Sequence, residues 1–236
     1  MSCSCPTAAS RTRRAASPRP WHQAVADAPH ARPSHCRCRR VSTLDLALFP
    51  LASVLIPGAV FDLRIFEPRY LDLVRECTRE DRAFGVCLIL EGHEVGAPAL
   101  PAAVGTLARI VDFHSRPDGL LGIRVQGGAR FRVLRTRVRD NGLLHGDIEL
   151  CAVDIAQPLP PEYALLATIL ERLLERIGGV AASYERPLLD DACWVGWRLA
   201  EHLPLPAAER QHLLQLDDPI ARLAALTRLL SRIQNE

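Results

Sequence analysis

Hydrophobic periodicity changes once along this chain, at the segment "QPLPPEY" (157–163). Before it, apolar residues recur at every second position or in short apolar runs, the pattern of strands. After it, they recur at three- and four-residue intervals, the pattern of helices. A stretch that must turn every second side chain inward cannot bury the same face as a helix. The two halves are therefore committed to different secondary structure, and a linker rich in proline separates them.

In the first half, "VFDLRIF" (60–66) alternates Phe61, Leu63 and Ile65 against Asp62 and Arg64. "FGVCLIL" (84–90) is apolar throughout, as a central strand should be. "VGTLARIVDF" (104–113) continues the pattern, "RPDG" (116–119) supplies turn residues, and "LLGIRVQGG" and "RFRVLRTRVRD" follow. Asn141-Gly142 marks a tight hairpin into "LLHGDIELC". Six or so short strands at this spacing predict a closed or nearly closed β-barrel.

One helix interrupts the strands, at "FDLRIFEPRY" (61–70). Pro68 suits the first helical position, where a missing N–H costs nothing. Tyr70, Leu73, Val74 and Cys77 then share one face. Glu67 falls near the positive N-terminal end of the helix, and Arg69 is placed to pair with a carboxylate, either Glu67 or one elsewhere. Phe66 and Tyr70 are expected to anchor the sides of this corner. The five residues Phe66, Glu67, Pro68, Arg69 and Tyr70 read as a structural corner rather than as catalytic charges.

In the second half, Leu165, Leu166, Ile169, Leu170, Leu173 and Ile177 form a stripe that ends at Gly178-Gly179. A second helix is predicted over 188–203, with Asp190-Asp191 near its start and Trp194 and Trp197 within it. A third begins near Pro206. A fourth has Asp218 as cap, Pro219 in the first turn and a stripe of Leu223, Leu226, Leu230 and Ile233. The expected fold class is α+β, with a disordered arm over 1–40, a β-rich lobe over 41–155 and a helical lobe over 156–236.

Composition narrows the chemistry. All 29 basic residues are arginine and the chain contains no lysine. That excludes a phosphate-binding P-loop lysine, a lysine Schiff base and a Ser-Lys dyad. Residues 1–40 hold eight arginines and one aspartate, a net +7 against +2 for the whole chain, so residues 41–236 carry −5. A mildly acidic folded part argues against general nucleic-acid binding. No apolar run approaches the ~18 residues of a membrane helix, and the expectation is a soluble, cytoplasmic protein. The Arg-rich arm also resembles an organellar transit peptide, the alternative location.

Cys3, Cys5, Cys36 and Cys38 lie in the arm as two Cys-x-Cys pairs, which depart from the Cys-x2–4-Cys spacing of compact zinc sites. No metal and no cofactor is expected. Cys77, Cys87, Cys151 and Cys193 sit in apolar stretches and read as buried small hydrophobes. Cys87 with His93 or His114 is conceivable as nucleophile and base, but Cys87 falls inside the most apolar strand. No catalytic residue is assigned.

"FPL…LIPG", "L.IFEPRY", "D.AFGVCLI", "VGTLARI" and "PDG", in that order, resemble the N-terminal substrate-binding domain of the Lon protease family. "LPLPAAERQHLLQLDDPIARLAALTRLL" resembles the end of its helical part, so the resemblance covers about 44–233. It implies a β-barrel-type lobe of PUA-like architecture followed by a helical bundle. It further implies a module that binds protein or unfolded polypeptide, an adaptor or chaperone-like holder in protein quality control. With no G-x-x-x-x-G-K-[ST] and no lysine, the chain reads as a standalone copy without the ATPase and peptidase modules, and is not expected to be an enzyme. The binding surface is expected to be an apolar groove or patch where strands meet helices.

The alternative is RNA binding. In "RFRVLRTRVRD", Arg130 and Arg132 have one parity and Arg135, Arg137 and Arg139 the other. A bulge at Val133-Leu134 brings all five to one face, with Phe131, Val133 or Leu134, Thr136 and Val138 inward. No aromatic residue interleaves them for base stacking, and a solvated face paired with acidic residues accounts for the same pattern.

Overall fold

Six strands pair into one mixed sheet: β1 (Leu44–Leu51), β2 (Val60–Ile65), β3 (Phe84–Glu91), β4 (Leu100–Ser115), β5 (Leu121–Val138) and β6 (Leu144–Leu150). This is a computed structural model, and it describes residues 43–233 except 95, 97–98 and 180–183. Their order is β2-β5-β4-β3-β1-β6, with a further pairing of β5 to β6. Only β1 and β3 run parallel; the other pairs are antiparallel. The long β5 makes this possible. Its first residues pair with β2 and β4, and Phe131 to Val138 pair with β6, whose other side carries β1. The ladders thus return to β5, with β2 attached beside it.

A strand of this length must bend, and the register shifts between Val133 and Arg135 in β5 and at two places in β4 supply the bends. The two stretches "LLGIRVQGG" and "RFRVLRTRVRD" are therefore one strand rather than two. The turn at Asn141-Gly142 closes β5 on β6, with Gly142 at φ 80° and the Asn141 carboxamide accepting from the Leu143 N–H at 3.1 Å.

Leu48, Cys87, Phe131, Leu144 and Ile148 form a core cluster inside this sheet. Its walls are kept thin by glycine. A Cβ on Gly105 would stand 2.5 Å from the Val86 carbonyl oxygen and 2.7 Å from both the Phe131 ring and the Cys87 Sγ. Gly85 is equally tight, with the Phe131 ring at 2.6 Å and a Leu48 methyl at 2.7 Å. The Phe131 ring fits only because both neighbours lack a side chain.

α1 (Pro68–Glu80) begins at Pro68 and buries Arg69, Tyr70, Leu73, Val74 and Cys77. It ends at Asp81, which takes a left-handed φ of 49°. The second half supplies α2 (Ala164–Ile177), α3 (Ala192–His202), α4 (Ala207–Gln215) and α5 (Pro219–Ile233). Asp218 caps α5 by accepting from the N–H groups of Ile220 at 3.0 Å and Ala221 at 3.3 Å.

Three helical expectations need correction. The buried row of α2 is Leu166, Leu170 and Leu174, whereas Leu165 is 69% exposed and Ile177 also faces out. A helix packed along one line buries a single i, i+4 row, narrower than its apolar stripe. The stretch 188–203 is not one helix: Arg186–Asp190 is a 3-10 turn, and Asp191 then caps α3 through the Cys193 N–H at 3.0 Å. In α5, Leu229 rather than Leu230 completes the buried row with Leu223 and Leu226, and Arg222 beside them is fully buried. Among the described residues no helix is long and apolar enough to cross a membrane. The arm, with Cys3, Cys5, Cys36 and Cys38, lies outside the described residues.

The packing around Phe131 predicts that Gly105→Ala destabilises the protein by about 1–3 kcal/mol through overpacking. Gly128→Ala meets only ordinary contacts at 3.6 Å and beyond and should change the urea midpoint far less. Equal midpoints for the two variants in urea titrations would show that the core yields at Gly105.

Candidate functional site

The corner at residues 66–70 is built by a buried ion pair. Arg69 meets Glu67 at 2.9 Å, and its guanidinium also donates to the Gly142 carbonyl at 3.3 Å and lies 4.8 Å from the centre of the Tyr70 ring. Tyr70 packs on Phe49 with ring centroids 4.1 Å apart, and burial raises its phenol above the ordinary range. α1 is thereby tied to the hairpin between β5 and β6. Glu67 makes no side-chain cap bond to the helix; its carboxylate goes to Arg69 instead. Phe66 does not anchor the corner: it is 46% exposed, with Arg64 over its ring.

The arginine strand divides. The bulge falls between Val133 and Arg135, but it does not bring five arginines to one surface. Arg130 is only 4% exposed, pairing with Asp154 and Asp217 at 3.0 Å each and donating to the carbonyls of Leu214 at 3.0 Å and Leu216 at 3.3 Å. The end of α4 covers that part of β5, which parity along the strand could not reveal. Arg132, Arg135, Arg137 and Arg139 remain exposed. Arg137 meets Asp45 at 2.6 Å and Asp147 at 2.7 Å, and Arg139 meets Glu76 at 3.6 Å. Thr136 and Val138 are exposed rather than inward.

Arg130 belongs instead to a buried cluster centred on Asp154. The Asp154 carboxylate accepts from Trp197 Nε1 at 2.6 Å, from Arg130 at 3.0 Å and from Arg222 at 3.5 Å. Arg222 is stacked 3.4 Å from the Trp197 ring centre and donates to the Leu216 carbonyl at 2.8 Å. Burial pulls the Arg222 guanidinium down to about 10, still charged at neutral pH. The same surroundings push the Cys193 thiol up to about 12. Nothing in the sequence pattern singles out Asp154, which follows the last strand in an irregular segment. An apolar helix carrying an arginine inside its buried row, as α5 does, was the available signal.

Cys87 is buried and its thiol is pushed up to about 12 by loss of solvent, so it stays protonated at neutral pH. Cys77 is likewise raised to about 11. Among the described residues no group of three or more His, Cys, Asp or Glu side chains is placed to hold a metal ion.

A concave feature lies where β3 outruns β1. An open groove of about 610 Å³ is lined by Leu88, Ile89 and Leu90 of β3 and by Ala207 and Ala208 at the start of α4. Leu90 is 57% exposed. Glu91, His93 and Glu94 stand along the same groove, and Glu94 accepts from the Ala52 N–H at 2.7 Å. α4 is held in place by Gln211, whose side chain donates to the Val104 carbonyl of β4 at 2.9 Å. This is a concavity of mixed apolar and polar lining between β3 and the start of α4, open to solvent.

The model of the ATP-dependent protease La (LON) substrate-binding domain matches residues 45–232. A Lon protease of Anaeromyxobacter dehalogenans is 27% identical over 197 residues, covering 79% of this chain and 23% of that one. A LON peptidase N-terminal domain and RING finger protein of Schizosaccharomyces pombe is 25% identical over 207 residues, covering 73% of this chain and 42% of its own. The chain thus spans less than half the length of these relatives. The crystal structure of a Lon N-terminal domain protein from Xanthomonas campestris superposes with a TM-score of 0.68 at 52% identity, covering 78% of this chain and 98% of that one.

Removing the central carboxylate in Asp154→Ala leaves two buried guanidinium groups without their shared counter-charge, and should cost about 3–5 kcal/mol in urea unfolding. A loss below about 1 kcal/mol would mean that solvent or Asp217 replaces it. Arg69→Ala should cost about 1–3 kcal/mol and appear first as a lowered Tm. An unchanged Tm together with lost ligand binding would instead assign the corner to recognition.

Proposed function

Because the chain belongs to the LON substrate-binding domain family, we propose that it is a non-catalytic module that binds polypeptide in the groove between β3 and α4. The observation that carries the reading is the exposed apolar side chain in that groove, Leu90, more than half exposed beside Ala207 and Ala208. Exposed apolar surface in a concavity is costly in water and is recovered when an unfolded segment covers it. The role that follows is an adaptor or chaperone-like holder in protein quality control. On the same reading the β-rich half is a PUA-like, barrel-type lobe, which the pairing of β6 with both β1 and β5 supports. The reading places the chain in the cytoplasm, and the unpaired thiols of Cys77, Cys87, Cys151 and Cys193 support a reducing compartment.

RNA binding along β5 is the second reading, favoured by Arg132 and Arg135, which make no ion pair among the described residues. The two differ in salt response. Apolar burial persists at high salt, whereas phosphate contacts are lost steeply.

Reduced, carboxymethylated α-lactalbumin should bind the full chain with little change between 0.1 and 0.5 M NaCl. Leu90→Ser should weaken that binding by about tenfold while leaving Tm within about 2 °C, since the side chain lies at the surface. Undiminished binding by Leu90→Ser would remove the groove from the reading. Tight, salt-sensitive binding of a structured RNA with none of the unfolded protein would replace it by the second.

A further inference from the structure

We infer that the bound polypeptide joins β3 as an added strand, and that its preferred chemistry is an alternation of apolar and basic side chains. The inference rests on the polypeptide-binding reading above and names its substrate class.

The register supplies the first argument. β1 pairs with β3 from Leu48↔Gly85 to Leu51↔Leu88 and ends there. β3 continues to Glu91, paired on its other side by β4 at Ile89↔Pro101 and Glu91↔Leu100. Over residues 89–91, one edge of β3 has no strand beside it among the described residues. The chain leaving β1 does not close the gap, since the Ala52 N–H is taken by the Glu94 carboxylate. An edge of main-chain donors and acceptors at the side of an apolar groove is a template for a further strand.

Charge supplies the second. The chain's strong bases are all arginine, yet no arginine lines the groove; its ionisable lining side chains are two carboxylates, Glu91 and Glu94, and one imidazole, His93. Glu91 makes no ion pair among the described residues, and Glu94 spends one oxygen on Ala52. Side chains of an added strand alternate between two faces. One set then lies with Leu90, and the other with Ile89 and Glu91. Basic residues in the second set meet an unpaired carboxylate, whereas acidic ones are repelled.

The test uses fluorescein-labelled ten-residue peptides titrated against the full chain by fluorescence anisotropy. Alternating Leu-Lys should bind about threefold to tenfold more tightly than alternating Leu-Glu. Glu91→Gln should reduce that preference at least about twofold with Tm unchanged, while Glu149→Gln, a half-buried acid on β6, should not. N-methylation of every second amide of the Leu-Lys peptide should weaken it about fivefold or more, by removing strand hydrogen bonds. Equal affinity for the basic and acidic peptides, or a preference lost equally in both variants, overturns the charge argument. Equal affinity for the N-methylated peptide overturns strand addition. If carboxymethylated α-lactalbumin still binds through Leu90 in either case, the broader reading stands and only this inference falls.

Discussion

A single carboxylate holds the strands and the helices together. Asp154 receives Arg130 from β5, Trp197 from α3 and Arg222 from α5. Burying two guanidinium groups is expensive unless a counter-charge and hydrogen bonds meet them. Arg130 Nη1 also donates to Asp217 and to the carbonyls of Leu214 and Leu216 at the end of α4. These partners come from different parts of the chain, so the contacts form only when the helices sit in one position on the sheet; Arg222 Nε and Nη1 stay buried against the Trp197 ring without a hydrogen-bond partner among the described residues. A second tie, Arg198 of α3 donating to the Pro57 carbonyl at 2.6 Å while paired with Glu201, fixes the loop before β2.

The groove inherits its shape from that arrangement. Its helical wall is the start of α4, whose far end is held by Arg130 and whose middle is held by Gln211 on β4. Its other wall is the stretch of β3 that runs beyond β1. The polar ties that hold these walls are buried, while Leu90 between them faces water and Leu88 does not. A fold with this division of labour keeps an apolar surface open without surrendering its own core, as a polypeptide-binding module requires.

Much of this was legible from residue spacing. The 61–70 corner carried its own signals, with Pro68 where a helix can begin and alternation ending just before it. Asp218 followed by Pro219 marked the cap of α5 in the same way. Arg130 was not legible, because its parity matches that of exposed Arg132 and only the end of α4 separates their environments. Phe66 misled for a similar reason: an aromatic at the end of a strand looks internal until the neighbouring elements leave it uncovered. The groove was expected where strands meet helices, but its lining depends on how far β1 runs along β3, which no local pattern encodes.

The sequence by itself determined the change of period, the helix starts and stops, the lysine-free chemistry and the family resemblance. Each of these is written in neighbouring residues, because backbone geometry and side-chain spacing act over a few positions. Tertiary structure alone decided which arginine is buried, which carboxylate neutralises it and which stretch of β3 keeps a free edge. Those outcomes depend on residues such as Arg130, Asp154 and Arg222, far apart along the chain, being brought within hydrogen-bonding reach. Electrostatics in a low-dielectric interior is set by that proximity and not by order in the chain.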